Sequence, residues 1–111
     1  MSELAQKKCV PCEGGTQPLT AEEISNYKTQ IPEWQTAEDQ KSISREFKFK
    51  NFAEALAFAN RVGAVAEEEN HHPDLRISWG VVGIELSTHA VHGLSENDFI
   101  LAAKLDKIQV L

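Results

Sequence analysis

Three stretches of the sequence repeat apolar residues at the spacing of an amphipathic helix. The first begins at Thr20 with the T-x-x-E pattern of a capping box and runs until Pro32 stops it. The second begins at Asn51 and carries a wide apolar stripe, which predicts a helix buried against a sheet. The third begins at Ser95 with the related pattern S-x-x-D. The pattern therefore predicts three helices.

Between these helices, apolar and polar residues alternate with the period of two that half-buried strands show. The alternation is weak over residues 34–38 and clear over residues 43–49, 74–79 and 82–87. The predicted order of elements is α-β-β-α-β-β-α. Strand pairs with one apolar face each, separated by a helix, predict an α+β fold. In this fold a four-stranded antiparallel sheet carries three helices on one face.

Chain length and composition fit one globular domain. The 111 residues are 41% hydrophobic and 25% charged, a mixture that excludes an intrinsically disordered chain. Residues 1–18 are polar and rich in loop-forming residues, so they predict a flexible N-terminal leader. Residues 19–111 are predicted to form a single domain.

Charge and hydropathy narrow the range of partners. The net charge is −6 at pH 7, and no cluster of lysine or arginine offsets the repulsion from a phosphate backbone, so nucleic acid is not expected as a partner. No apolar run approaches the ~20 residues that a membrane span needs. The first residues, MSELAQKKC, lack the apolar core of a secretory signal. We therefore expect a cytoplasmic protein without a membrane partner.

The two cysteines, Cys9 and Cys12, form a C-x-x-C motif. Such a pair is typical of a redox dithiol or of half a zinc site. A zinc site needs two further ligands, and the sequence has no second C-x-x-C motif. A redox motif of the thioredoxin type lies where a strand meets a helix, whereas this one lies in the polar leader. We favour two thiols in a mobile arm, without a chemical role.

All four histidines fall between residues 71 and 92. If Gly80 and Val81 form the two-residue loop of a hairpin, position 72 lies opposite position 89 across the two strands. The hairpin then brings His89 beside the adjacent pair His71 and His72. The sequence therefore predicts three clustered imidazoles at the open end of a hairpin.

Clustered imidazoles suit acid–base catalysis of an elimination or a hydration, because each titrates near neutral pH. A metal site is the alternative, since neutral imidazole is a common ligand and residues 67–69 are glutamates. The stretch lacks the H-E-x-x-H spacing of known sites. A third interpretation is that surface histidines cap a helix end. We favour acid–base catalysis without a metal, and we expect His92 to take no part.

The stretch EEENHHPDLRISWGVVGIELSTH, followed by GLSEND, resembles the signature of the pterin-4a-carbinolamine dehydratases. The spacing of the marker residues is also similar to that signature, namely from Glu67 to His71, from Pro73 to Trp79, and onward to His89 and Asp98. The segments LTAEE, IPEW and FKFKNFAEA extend the resemblance over most of the chain. The leader with its C-V-P-C motif resembles that of bacterial members.

The resemblance implies dehydration of a 4a-hydroxytetrahydropterin to a quinonoid dihydropterin and water. The implied context is tetrahydrobiopterin recycling for aromatic amino acid hydroxylases such as phenylalanine hydroxylase, by a homodimer or homotetramer without a cofactor. The implied catalytic residues are His71, His72 and His89. The implied substrate-contacting residues are Glu67, Asn70, Trp34, Ser87, Thr88 and Ala90.

Two positions depart from the residues that are usual in the family, and two others allow a second interpretation. Asn70 stands where many members have Asp, and Trp79 where many have Tyr. Glu67 lies one helical turn before His71, so it either polarises that imidazole or belongs to a solvated acidic face. Asp98 is better explained as the third residue of a capped helix than as a catalyst.

Two further functions stay open beside the enzyme. Animal members of this family also act as dimerisation cofactors of a homeodomain transcription factor, a role that an acidic surface does not prevent. The same fold could also serve pterin chemistry elsewhere, such as molybdopterin metabolism. Genes for a hydroxylase or for molybdenum-cofactor synthesis beside this one would distinguish the last alternative from pterin recycling.

Overall fold

Four strands and three helices follow one another in the predicted order. The computed structural model describes residues 3–10 and 17–108. The elements are α1 (Ala21–Lys28), β1 (Gln35–Thr36), β2 (Ile43–Lys48), α2 (Phe52–Glu69), β3 (Asp74–Ser78), β4 (Val81–Leu86) and α3 (Glu96–Asp106). Two short 3₁₀ helices, Leu4–Gln6 and His89–Val91, were not predicted. The predicted α+β fold is confirmed.

The sheet is antiparallel throughout, with the strand order β1-β2-β4-β3. One face of β4 presents Val82, Ile84 and Leu86, all of which are buried, whereas Glu46 of β2 and Glu85 of β4 point outward and are exposed. Only one face of the sheet is therefore apolar, and the helices cover that face. As predicted, this arrangement leaves the opposite face polar.

The sequence located the beginnings of all three helices correctly. At the start of α1, the Thr20 hydroxyl accepts a hydrogen bond from the Glu23 amide at 3.2 Å, and the Glu23 carboxylate accepts one from the Thr20 amide at 2.9 Å. At the start of α2, the Asn51 side chain accepts a hydrogen bond from the Glu54 amide at 2.9 Å. These bonds satisfy amides that a helix leaves without partners, which explains why the capping patterns were reliable.

The β3–β4 hairpin has a different register from the predicted one. Ser78 pairs with Val81, so Trp79 and Gly80 form the loop, and the predicted Gly80–Val81 loop is wrong. Gly80 has a φ of 73° at the second loop position, where type II turns require glycine. Its carbonyl also accepts a hydrogen bond from the Phe49 amide at 2.8 Å. Extended beyond the strands, this register places position 72 opposite position 87 instead of 89.

Residues 3–10 pack against α3, where the sequence had predicted a flexible leader. Leu4 is buried in the core, and the Lys104 ammonium donates a hydrogen bond to the Ala5 carbonyl at 3.0 Å. Of the C-x-x-C motif, Cys9 is among the described residues, whereas Cys12 lies outside them. Within the described ranges, no helix is both long and apolar enough to cross a membrane.

Candidate active site

A tight turn at the end of α2 positions the first histidine. Asn70 follows the last helical residue with a left-handed backbone, φ 53° and ψ 39°. The His71 amide donates to the Ala66 carbonyl at 3.2 Å, and the Asn70 amide donates to the Glu67 carbonyl at 3.3 Å. These two bonds form a Schellman motif, in which asparagine is the usual substitute for glycine. The motif ends the helix and turns the chain so that His71 reaches α3.

His71 is hydrogen-bonded to a buried carboxylate on α3. Its Nε2 lies 2.7 Å from Oδ1 of Asp98, and the two side chains are 13% and 0% exposed. The second carboxylate oxygen accepts hydrogen bonds from the Thr88 hydroxyl at 2.7 Å and the Ser95 amide at 3.0 Å. Three donors thus satisfy a carboxylate that would otherwise be costly to bury. With its Nε2 engaged, His71 has Nδ1 left to exchange a proton with a bound molecule.

His72 has a separate and more exposed partner. Its Nε2 contacts the carboxylate of Glu67 on the last turn of α2. The sequence suggests Glu67 as a partner of His71. In the structure the turn at Asn70 directs His71 away from α2, and His72 contacts Glu67 instead. Both side chains of this pair are exposed, so the pair contributes little to stability.

His89 begins the 3₁₀ helix His89–Val91, just beyond the end of β4. Because β3 and β4 are antiparallel, this position lies at the same end of the hairpin as the residues that precede β3. Thr88, its neighbour, is buried and donates to the same carboxylate as His71. The structure thus links His71 and the segment around His89 through Asp98, although the predicted strand register does not hold. Ser87 is half-buried, and Ala90 is exposed beside them.

Trp34 lies in the core. It is 0% exposed, and its indole N–H donates to Oδ1 of Asp106 at 2.8 Å. Arg45 also contacts that oxygen at 2.7 Å and stacks its guanidinium on the Phe47 ring. Burial raises the pKa of Asp106, and the bonds from Trp34 and Arg45 only partly offset this effect. The indole of Trp34 therefore has protein partners on the inside of the fold.

Sequence reasoning gave Asp98 a smaller role than its contacts support. The residue does cap α3, as the S-x-x-D pattern predicts, through its bond with the Ser95 amide. The same carboxylate also contacts His71. The signal for this second role was an acidic residue in the first turn of a helix that is otherwise largely buried. In residues 3–10 and 17–108, no group of three or more histidine, cysteine or acidic side chains is placed to hold a metal ion.

A separate groove of about 670 Å³ lies on the outer face of the sheet. Charged side chains of both signs line it, among them Glu46, Lys48, Arg76 and Glu85. None of the predicted site residues lines this groove. The position of this groove therefore does not identify the histidines as a binding site. The candidate site is defined by the contact between His71 and Asp98.

Comparison with known protein families gives a match over most of the chain. Residues 17–108 match the family described as pterin 4 alpha carbinolamine dehydratase. A relative from Alkaliphilus metalliredigens is 54% identical, with 98% of this chain and 98% of that protein covered. A relative from Rubrobacter xylanophilus is 51% identical, with 97% of this chain and 100% of that protein covered. Both relatives bear the provisional name pterin-4-alpha-carbinolamine dehydratase.

Solved structures share the fold. A transcriptional coactivator/pterin dehydratase from Brucella melitensis superposes with a TM-score of 0.76 at 31% identity, over 81% of this chain and 96% of that one. A pterin dehydratase-like protein, described as a RuBisCO assembly factor in the alpha-carboxysome, superposes with a TM-score of 0.57 at 24% identity. It covers 66% of this chain and 84% of its own length, and at this identity the likeness concerns the fold alone.

Proposed function

This chain belongs to the pterin-4a-carbinolamine dehydratase family, whose members are hydro-lyases, and we propose that it works by histidine acid–base catalysis. The substrate in this proposal is a 4a-hydroxytetrahydropterin, and the products are a quinonoid dihydropterin and water. The contact between His71 and Asp98 carries the proposal. It supplies an imidazole whose orientation is fixed and whose free nitrogen faces away from its partner.

The reaction needs two proton transfers. The C4a–oxygen bond breaks, the departing oxygen gains a proton, and a ring N–H loses one so that its electron pair forms a C=N bond. We assign the base to His71, because Asp98 stabilises the imidazolium that forms when His71 takes the ring proton. Such a transfer by a positioned side chain contributes ~10²–10⁴-fold. The elimination is redox-neutral, so the proposal includes no cofactor.

The acid in this proposal is His89, at the same end of the hairpin. His72, held by Glu67, orients the pterin ring or serves the opposite hydroxyl stereoisomer. Either role suits an imidazole that is more exposed than His71. The assignment gives each of the three histidines that the sequence singled out a distinct task.

Substrate contacts are assigned to the accessible residues around these histidines. Glu67, Asn70 and Ala90 are exposed and Ser87 is half-buried, so their surfaces are available to a pterin. The side chains of Thr88 and Trp34 are buried and hydrogen-bonded to Asp98 and Asp106. We therefore give those two a supporting role and no direct contact with the substrate.

The biological context in this proposal is tetrahydrobiopterin recycling for an aromatic amino acid hydroxylase, in the cytoplasm. The family match supports pterin as the substrate class. An enzyme of this recycling pathway should act on the carbinolamine that a hydroxylase produces. An enzyme of another pathway should prefer a different pterin.

A homodimer completes the proposal. β3 is an edge strand, because it pairs only with β4, and its inward side chains Leu75 and Ile77 are exposed. Trp79, 71% exposed, and the α2 residues Phe52 and Leu56 add further exposed apolar surface. We name these five residues the β3 patch. An unpaired strand edge beside apolar surface is a site that proteins normally cover, and a second copy of the chain is the proposed cover.

The test is a dehydratase assay with 4a-hydroxytetrahydropterin generated in situ by a hydroxylase. We expect the wild-type protein to accelerate dehydration, and we expect His71→Ala and His89→Ala to lower kcat by about a hundredfold or more while the fold is retained. The control is His92→Asn, because His92 is exposed and its left-handed backbone, φ 56°, tolerates asparagine. A wild-type protein without activity, or histidine variants as active as the control, would refute the proposal.

A further inference from the structure

Four polar residues are buried among the described parts of the chain: Glu69, Thr88, Asn97 and Asp98. Asp98 is hydrogen-bonded to His71, and Thr88 donates a hydrogen bond to Asp98. The other two, Glu69 and Asn97, bind the N-terminal segment. Buried polar side chains are costly unless they are hydrogen-bonded. Glu69 and Asn97 lie close in sequence to His71 and Asp98, so the N-terminal segment is bonded beside both members of that contact.

The N-terminal segment is held through its backbone. Oε1 of Glu69 accepts a hydrogen bond from the Cys9 amide at 2.9 Å. The Asn97 side chain makes two bonds with Val10, accepting from its amide at 3.0 Å and donating to its carbonyl at 2.5 Å. Lys104 donates to the Ala5 carbonyl and lies 3.6 Å from Oε2 of Glu69. We call residues Cys9 and Val10, with Glu69 and Asn97, the clasp.

The clasp joins the end of α2 to the start of α3, the two helix ends that adjoin His71 and Asp98. Glu69 is the last residue of α2 and precedes His71 by two positions. Asn97 is in the first turn of α3 and directly precedes Asp98. The separation of His71 from Asp98 therefore depends on how the end of α2 lies relative to the start of α3. A segment bonded to both ends fixes that separation from outside the active site.

We propose that the clasp between the N-terminal segment and residues Glu69 and Asn97 holds His71 against Asp98, so that Glu69 and Asn97 are positioning residues for the histidine. This inference rests on the proposed function, because it assigns a task to the surroundings of the same histidine. It also gives the leader a role that its sequence did not suggest. The alternative is that residues 3–10 only add stability, through Leu4 in the core.

The variants open the clasp without touching His71 or Leu4. Asn97→Asp keeps the size of the side chain but replaces the amide that donates to the Val10 carbonyl. Val10→Pro removes the amide that donates to Asn97, at an exposed position that tolerates a change of side chain. The matched control is Val10→Ala, which keeps the backbone N–H. All variants also carry Cys12→Ser, so that Cys9 is the only thiol.

Opening of the clasp is measured at Cys9. Burial and the neighbouring Glu69 carboxylate raise the pKa of the Cys9 thiol to about 12, which keeps the thiol protonated and slow to react. We expect iodoacetamide to modify Cys9 about tenfold faster or more in Asn97→Asp and Val10→Pro than in Val10→Ala. This measurement reports the position of the segment independently of catalysis.

The effect on His71 is measured in two ways. Proton NMR detects the N–H that His71 shares with Asp98, because a proton in such a contact is shifted downfield and protected from exchange. We expect this signal to broaden or disappear in the two clasp variants and to persist in Val10→Ala. We also expect kcat to fall about tenfold while KM changes much less, because a misplaced catalytic group slows the chemical step.

The outcomes separate the alternatives. Faster modification of Cys9 with an unchanged His71 signal and unchanged kcat would show that the segment has no positioning role. A Cys9 that stays protected in both variants would also overturn the proposal, because Asn97 would then not be what holds the segment. If the wild-type protein has no dehydratase activity, the proposed function fails, and the NMR signal alone still tests the clasp.

Discussion

Nε2 of His71 lies 2.7 Å from Oδ1 of Asp98, and this contact joins two residues that are 27 positions apart in the sequence. The other oxygen of the same carboxylate caps α3 through the Ser95 amide. One buried side chain therefore both begins a helix and orients an imidazole. Because the two tasks share a residue, changes at Asp98 affect stability and catalysis together, and a second variant is needed to separate the two effects.

Asp98→Asn is expected to lower kcat by at least about tenfold, because an amide does not stabilise an imidazolium as a carboxylate does. The amide also has one acceptor oxygen where the carboxylate has two. We therefore expect the free energy of unfolding to fall by about 1–3 kcal/mol. Kinetics and urea unfolding of the same preparation give the two values.

Thr88→Val is the matched comparison for Asp98→Asn. It removes one donor to the Asp98 carboxylate and leaves the contacts with His71 and Ser95 in place. We expect a loss of stability of about 1 kcal/mol with kcat changed by less than about threefold. If Thr88→Val lowered kcat as strongly as Asp98→Asn, Asp98 would owe its effect to the integrity of the network and not to its contact with the imidazole.

Asn70 is expected to matter for stability through its left-handed backbone, φ 53°. Asn70→Ala should reduce the free energy of unfolding by about 1 kcal/mol, because a Cβ without a compensating polar group is strained there. Asn70→Gly adopts the conformation without strain and should be close to wild type. Thermal or urea unfolding measures both. Equal losses in the two variants would mean that the side chain, and not the backbone, is what the site requires.

Glu69 is expected to make the protein sensitive to acid. Burial raises the pKa of Glu69, but the hydrogen bond from the Cys9 amide and the charge of Lys104 lower it more, so it lies below the ordinary value of 4.5. A carboxyl group with a lowered pKa stabilises the fold above that value, and the contribution is lost as pH falls through the folded-state pKa. Acidification below about pH 4.5 should therefore destabilise wild type more than Glu69→Gln.

The measurement for Glu69 is urea unfolding at a series of pH values between neutral and acid. Glu68→Gln supplies the control, because Glu68 is the exposed neighbour of Glu69 on the same helical turn. We expect its curve to follow that of wild type. Parallel curves for Glu69→Gln and wild type at all pH values would contradict the linkage between the clasp and the charge of Glu69.

The β3 patch is expected to mediate self-association. Ile77→Lys places a charge in the exposed apolar surface, so it should shift the protein from dimer to monomer in sedimentation or light-scattering measurements. Ser78→Lys makes the same change one position along β3, on the opposite face of the sheet, and should leave the dimer intact. A wild-type monomer at micromolar concentration, or an equal response of the two variants, would argue against the patch as the interface.

Several features of the fold could be predicted because they depend on neighbours in the sequence. The capping pattern at Thr20 and the cap at Asn51 involve residues within one helical turn, and the structure confirms both. The strand order along the chain followed from alternation with a period of two. The predicted hairpin register was wrong. In the structure the Gly80 carbonyl accepts a hydrogen bond from the Phe49 amide, and a contact with so distant a part of the sequence cannot be seen in the local pattern around Gly80.

The sequence by itself determined the α+β order, the single apolar face of the sheet and the family, because local periodicity and a run of characteristic residues encode each of them. The tertiary structure decided which carboxylate serves which histidine. Glu67 is near His71 in sequence but contacts His72, and Asp98 is distant in sequence but contacts His71. It also decided that residues 3–10 pack on α3. Contacts of this kind depend on how helix ends meet in space, and no sequence spacing specifies that meeting.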